Sequence, residues 1–313
     1  MKKILYIAAG VIAIAITGCT KNVITQTSKP AMGIQLRFFH AAPGVPALDA
    51  FVNGVQVTPV GTVSVTDNQA PTSIVTGSTY LNVFPGNNYS VSAFGNTTIK
   101  IATSTPVPAL VSTQTVLPAT VIKTFTQTTA DGEAYSFITS GLPGSATTPL
   151  TTFLIKDVFP DATPGKAYIR LAHMIPNGGA VDLTGTYTPT GGAVTTVTVL
   201  TNKTYGTVTD FVPVDVNPIS TTAYTFQAVL TGTTTKLGTS IVTTGNITVV
   251  PMPLTPGRYY TIILRGLAAD YQVPGVNITL KATARPTLPT TDPTTRFPEI
   301  YFNIPGLTYY TNK

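Results

Sequence analysis

Residues 36–49 read LRFFHAAPGVPALD, and residues 169–182 read IRLAHMIPNGGAVD. Both fit Arg-x2-His-x2-Pro-x5-Asp, so Arg37, His40, Pro43 and Asp49 are matched by Arg170, His173, Pro176 and Asp182. These two histidines are the only ones in the chain. In the first copy Leu36, Phe38 and His40 fall on one face of a strand and Arg37 and Phe39 on the other, the period of two that a β-strand requires. The run Ala41-Ala42-Pro43-Gly44-Val45-Pro46 forces a turn, and a second short strand then carries Asp49 and ends at Asn53-Gly54, a hairpin dipeptide.

The duplication continues beyond its opening. Gly132-x2-Tyr135-x5-Gly141 recurs as Gly257-x2-Tyr260-x5-Gly266, and Lys156 and Lys281 each follow the second glycine by the same interval, inside FLIK and ITLK. Two homologous units are therefore expected at 34–160 and 165–285, joined by the short Pro160–Gly165 connector. No window carries a helical stripe, and 26 prolines are spread along the body. Short strands separated by Gly, Pro and Asn turns point to an all-β chain of two tandem antiparallel β-sandwiches, Ig-like in architecture but without the Cys, Trp and Cys of true Ig domains. Residues 286–313 read as a proline-rich spacer and an aromatic tail. Tyr301, Phe302, Tyr309 and Tyr310 are expected to dock that tail on an edge of the protein's own sheet.

The first eighteen residues have a different character. Lys2 and Lys3 precede an uncharged apolar run from Ile4 to Ile16, too short to cross a bilayer as a helix, and Gly18-Cys19 comes next: a secretion signal ending in a lipobox-like Ile16-Thr17-Gly18-Cys19. Cys19 is the only cysteine, so its expected fate is lipidation, which leaves no disulfide to brace the fold. Residues 19–33 then form a tether. No acidic cluster follows Cys19, which leans toward an outer-membrane lipoprotein facing the periplasm rather than the cell surface. Charged residues are only 10% of the chain, and the formal +6 falls to +4 once Lys2 and Lys3 leave with the signal. The remaining basic residues are scattered, so no nucleic-acid partner is expected.

His, Arg and Asp recurring together invite a catalytic reading, with Asp49 orienting His40 and Asp182 orienting His173. A nucleophile is missing: there is no GxSxG element, and the one thiol sits at the lipid anchor. The favoured reading is structural, with each histidine on the core side of its strand end and bonded either to the backbone of the proline turn or to the Asp beyond it. A residue that shapes a fold is needed in every copy, whereas a catalytic set is needed once. Two histidines in separate units do not make a zinc site, no Asx-rich loop suggests calcium, and no nucleotide-binding glycine pattern is present; no cofactor is expected.

With these residues in view, both units resemble the bacterial family of unknown function DUF4397, whose members open with an R-x-x-H-x-x-P strand, continue into a short Asp-containing strand, and later carry a Tyr-centred strand. The second unit departs from the pattern at Met174-Ile175 and Gly178-Gly179. The resemblance implies an extracytoplasmic β-sandwich, often found in lipoproteins or cell-wall proteins, and no established activity. The expected role is a non-enzymatic envelope lipoprotein, anchored in the membrane through its lipid and presenting loops or a sheet edge to another envelope protein or to polysaccharide. The alternatives are glycan capture, with Tyr187, Tyr205 or Tyr271 stacking on sugar rings, and a hydrolase with a Ser or carboxylate close to His40 or His173.

Overall fold

The computed structural model describes residues 32–62, 74–104, 120–239, 251–283, 299–300 and 304–313. The signal segment, Cys19, the proline-rich spacer, Tyr301 and Phe302 lie outside the described residues. The first half supplies strands β1 (Ile34–His40), β2 (Leu48–Val52), β3 (Gly95–Thr103), β4 (Val121–Thr129), β5 (Ala134–Ser140) and β6 (Thr151–Lys156). The second supplies β7 (Lys166–His173), β8 (Val181–Tyr187), β9 (Thr195–Lys203), β10 (Val212–Asp215), β11 (Thr222–Leu230), β12 (Lys236–Thr239) and β13 (Tyr259–Arg265), and the tail adds β14 (Gly306–Thr311). No helix occurs among the described residues.

The sheets stack in four layers. An outer sheet containing β2, β3 and β4 packs on an inner sheet ordered β6-β5-β1, with Val83–Phe84 and Ser90–Ser92 on the far side of β1. A second inner sheet, β10-β7-β13-β14, packs on a second outer sheet ordered β9-β8-β11-β12. Alternation along β1 decides which layer each side chain enters. Ile34, Leu36 and Phe38 fill the first sandwich core with Ala50, Ile99 and Phe137. Phe39 points the other way, and meets Ile138, Ala172, Ile263 and Tyr310 in a separate core between the two inner sheets. The second sandwich core gathers Ile169, Leu171, Leu183, Phe226, Tyr260 and Ile262. Strands covered on both faces have no solvent-facing side, which is why β5 and β13 are buried at all seven positions, polar residues included.

Each inner sheet contains one parallel pairing. β1 runs parallel to β5, with Leu36 opposite Tyr135, and β7 runs parallel to β13, with Ile169 opposite Tyr260. The repeated landmarks are thus paired in identical register. The repeated glycines at either end of these strands explain themselves: Gly132 and Gly257 have φ of 77° and 74°, Gly141 and Gly266 of 117° and 102°. Those left-handed values admit glycine with little strain and resist a side chain.

The two inner sheets differ at the edge beyond β5 and β13. In the first, β6 lies antiparallel on β5, with Lys156 opposite Tyr135 and Thr151 opposite Ser140. The sequence repeat would put the ITLK segment on β13 in the same way. Instead Thr279–Leu280 joins Tyr271–Gln272 and Glu299–Ile300 in a small separate sheet, and β14 takes the vacant edge, with Thr311 opposite Tyr260 and Gly306 opposite Arg265. The tail carries Leu307 into the second sandwich core and Tyr310 into the central one. Leu307→Ala should therefore cost about 2–5 kcal/mol in chemical denaturation; a loss below ~1 kcal/mol would show the tail to be peripheral to stability.

Candidate functional site

Each motif histidine closes the turn at the end of its strand. The His40 Nε2–H donates to the carbonyl oxygens of Pro46 (3.0 Å) and Val45 (3.3 Å), while Nδ1 accepts the Ala42 N–H at 3.2 Å. His173 repeats this, donating to Gly179 O at 3.0 Å and accepting from Ile175 N–H at 3.3 Å. Both ring nitrogens are thus engaged with the main chain, a pattern that requires the neutral ring protonated at Nε2. Burial pushes the His40 pKa down to about 4, against the opposing pull of the Pro46 and Val45 carbonyls, and lowers that of His173 for the same reason. The void beside His40, lined by Asp49, Ser78 and Thr139 among others, is about 10 Å3, room for one water at most.

The aspartates of the motif face elsewhere. Asp49 Oδ1 accepts from Gln56 Nε2 at 2.9 Å and Thr58 Oγ1 at 3.4 Å. Asp182 Oδ1 accepts from the Asn202 N–H at 2.7 Å and Thr231 Oγ1 at 2.8 Å, bonds that lower its pKa. Of the two partners open to the histidines, the turn backbone is the one used.

The motif arginines carry the electrostatics. Among the described residues Arg37 and Arg170 are the two largest fully buried side chains, and both project into the layer between the inner sheets. Arg170 Nη2 lies 2.6 Å from the Asp157 carboxylate, Nε donates to Thr261 Oγ1 at 2.9 Å, and the guanidinium carbon sits 4.6 Å from the Phe211 ring centroid. Asp157 also accepts from the hydroxyls of Ser136 and Tyr89, each at 2.7 Å, and Asn312 Nδ2 donates to Tyr89 Oη at 2.8 Å. Burial pulls the Arg170 pKa down but is outweighed by Tyr310 and Asp157, so the net shift is upward. Arg37 lies between the rings of Tyr89 and Tyr310, 4.6 and 4.9 Å from their centroids, and donates through Nη1 to the Thr311 carbonyl. Burial lowers its pKa.

A cleft of about 470 Å3 opens next to this network, lined by Gln35, Tyr89, Glu133, Lys156, Asp157 and Asn312 together with Ala134, Phe159 and Lys313. Lys156 pairs with Glu133 and, as the main cause, holds its carboxyl down to about 2. Sequence reasoning finds the arginines through the repeat but misses Tyr89, Ser136, Asp157 and Asn312, which carry no motif.

The three tyrosines considered for sugar stacking belong to different packed groups. Tyr187 stacks on Tyr224 at 4.5 Å, Tyr205 meets Phe153 edge-on, and Tyr271 donates to the Pro143 carbonyl. Among the described residues, no three His, Cys, Asp or Glu side chains gather as a metal would need, and no helix is long and apolar enough to cross a membrane.

Residues 34–184 match the model of a family described as a domain of unknown function, DUF4397. The match covers the first repeat and runs through the second motif. A crystal structure of a "putative cell adhesion protein" from Bacteroides eggerthii is similar over 91% of this chain and 98% of that one, at 13% identity and a TM-score of 0.19. That overlap is too loose to bear on fold or role. No curated protein matches the chain.

The histidine geometry generates a pH dependence. His40 is neutral in the fold with a pKa near 4 and titrates near 6.5 once unfolded, so its contribution is complete above pH 6.5 and is lost as pH falls toward 4. At ~1.4 kcal/mol per tenfold change in proton affinity, the loss is on the order of 3 kcal/mol. Melting curves from pH 7 to 4 should fall steeply for the natural protein and less steeply for His40→Gln; equal slopes would show that this ring is not the titrating group.

Proposed function

We propose that this protein is a non-enzymatic lipoprotein of the bacterial cell envelope, a rigid β-body anchored in the outer membrane through lipid on Cys19 and facing the periplasm. The chain carries two tandem copies of the same domain, of which the family match covers the first. Its work is interaction: loops and sheet edges presented to another envelope protein or to polysaccharide.

The observation that carries this reading is where the repeated polar residues go. Both histidines close turns and both arginines lie between sheets, so the signature in each copy is used in holding the fold. A general base needs a lone pair within reach of a substrate proton, and the Nδ1 lone pairs here already accept main-chain N–H groups. Support for the anchor comes from the sequence alone: a basic start, a short apolar core, then the single cysteine.

The test expresses the full chain and Cys19→Ser with a fatty-acid label. The natural chain should carry label and sediment with membranes, while the variant is unlabelled and released by osmotic shock. An unlabelled natural chain would remove the anchor. Turnover of ester, peptide or glycoside substrates that disappears in a folded His40→Gln variant would remove the non-enzymatic reading.

A further inference from the structure

The two halves place their interlayer groups in equivalent positions, and the equivalence breaks at one residue. Because β1 and β5 pair as β7 and β13 do, Arg37 corresponds to Arg170 and Ser136 to Thr261. The flanking strands extend the match. Ser90 lies opposite Leu36 as Val212 lies opposite Ile169, so Tyr89 beneath Arg37 stands where Phe211 stands beneath Arg170. On the other edge Lys156 and Thr311 occupy the same register, and the next residues, Asp157 and Asn312, each donate their N–H to the first carbonyl of the neighbouring strand region, Ala134 and Tyr259.

Asp157 is the counter-ion of Arg170. Its spatial equivalent, Asn312, is uncharged. Arg37 accordingly has one hydrogen bond, to the Thr311 carbonyl, and its Nε and Nη2 meet no acceptor among the described residues although the side chain is only 1% exposed. A buried guanidinium without a carboxylate is costly, and Arg37 and Arg170 share a single acid here, while Arg265 at the end of β13 is held by the Ile304 carbonyl.

The space alongside is also asymmetric. Around Arg170, Tyr168, Phe211 and Tyr259 pack together and Phe159 closes the group, stacked on Phe211 at 5.5 Å and edge-on to Tyr259 at 5.1 Å. Around Arg37 the corresponding positions are Gln35, Tyr89 and Ala134. Two aromatic rings are thus replaced by an amide and a methyl group, and Gln35 and Ala134 line one wall of the 470 Å3 cleft, with Phe159 and Lys313 also in its lining.

We infer that this cleft binds a carboxylate-bearing ligand, whose carboxylate supplies Arg37 with the anion that Asp157 supplies to Arg170. Tyr89 and Asn312 separate the cleft from the guanidinium. Entry displaces the Asn312 amide, which gives up neutral hydrogen bonds to Tyr89 and Thr261 in exchange for a charge-assisted pair. Of the charged groups lining the cleft, Glu133 is paired with Lys156 and Asp157 with Arg170, and the remaining polar wall of Gln35, Asn312 and Lys313 suits a hydroxylated acid such as a uronic acid, free or at the end of an acidic glycan.

The experiment titrates the full chain with sodium glucuronate, glucose and sodium sulfate at matched ionic strength, reading melting temperature and calorimetric heat. Glucuronate should raise the melting temperature while glucose and sulfate do not. Asn312→Asp, which installs the missing carboxylate, should melt higher than the natural protein without ligand and bind glucuronate roughly tenfold more weakly or worse. Gln35→Tyr, which narrows the cleft and leaves Arg37 untouched, should weaken binding with little change in melting. Stabilisation by sulfate as strong as by glucuronate, no glucuronate shift at all, or full glucuronate binding by Asn312→Asp would each overturn the assignment. If unlabelled glucuronate binds but a glucuronate-terminated oligosaccharide competes less well, the free acid is the source. The reverse order identifies the glycan.

Discussion

The guanidinium groups of Arg37 and Arg170 and the Asp157 carboxylate are buried between the inner sheets, and the arrangement of the layers has to accommodate them. An ion pair such as Arg170–Asp157 gains little over well-packed apolar residues, but its desolvation makes any misalignment expensive. Asp157 leaves β6 of the first half and Arg170 projects from β7 of the second, so the contact fixes how one sheet lies on the other. The hydroxyls of Ser136, Thr261 and Tyr89 complete the lone pairs and protons around the pair. Cation–ring contacts at Phe211 and Tyr89 supply the rest of the surroundings. The apolar contacts of Phe39, Ile138, Ala172 and Ile263 then seal this layer on one side.

Much of the architecture can be read from the motif alone. Alternation identifies β1 and β7, the prolines at 43 and 176 mark the turns that end them, and the glycines at 132, 141, 257 and 266 mark the ends of β5 and β13. The all-β class comes from composition and spacing. Parallel pairing does not, because which strands become neighbours depends on contacts about a hundred residues apart, and local pattern is blind to them. A polar ring on the core side of a strand end needs a partner nearby, and the sequence offers each histidine two. Which partner it takes depends on the path of the turn, and the Gly179 and Pro46 carbonyls reach the ring before either aspartate does.

The interlayer network is hidden for a different reason. In the sequence repeat Asp157 aligns with Ala282, one residue past Lys281, and that alignment predicts no polar equivalent at all. The chain instead fills the edge of β13 with its last strand, and Asn312 arrives at the position by another route. Apolar residues in ITLK satisfy themselves in the small sheet with Leu142 and Leu267. Two segments compete for one edge, and their hydrophobicity is too similar for sequence to choose. The burial of Leu307 and Tyr310 on opposite faces shows why the tail wins: it closes two cores at once.

Closing both cores with the final strand has a kinetic corollary. The Arg37–Thr311 hydrogen bond joins residues 274 positions apart, and β1 and β5 are themselves joined across the outer-sheet strands β2, β3 and β4. Such non-local topology folds slowly, because loop-closure entropy must be overcome before the distant contacts reward it. The second inner sheet lacks one edge until β14 is in place, so neither the second sandwich core nor the central core closes before that strand arrives.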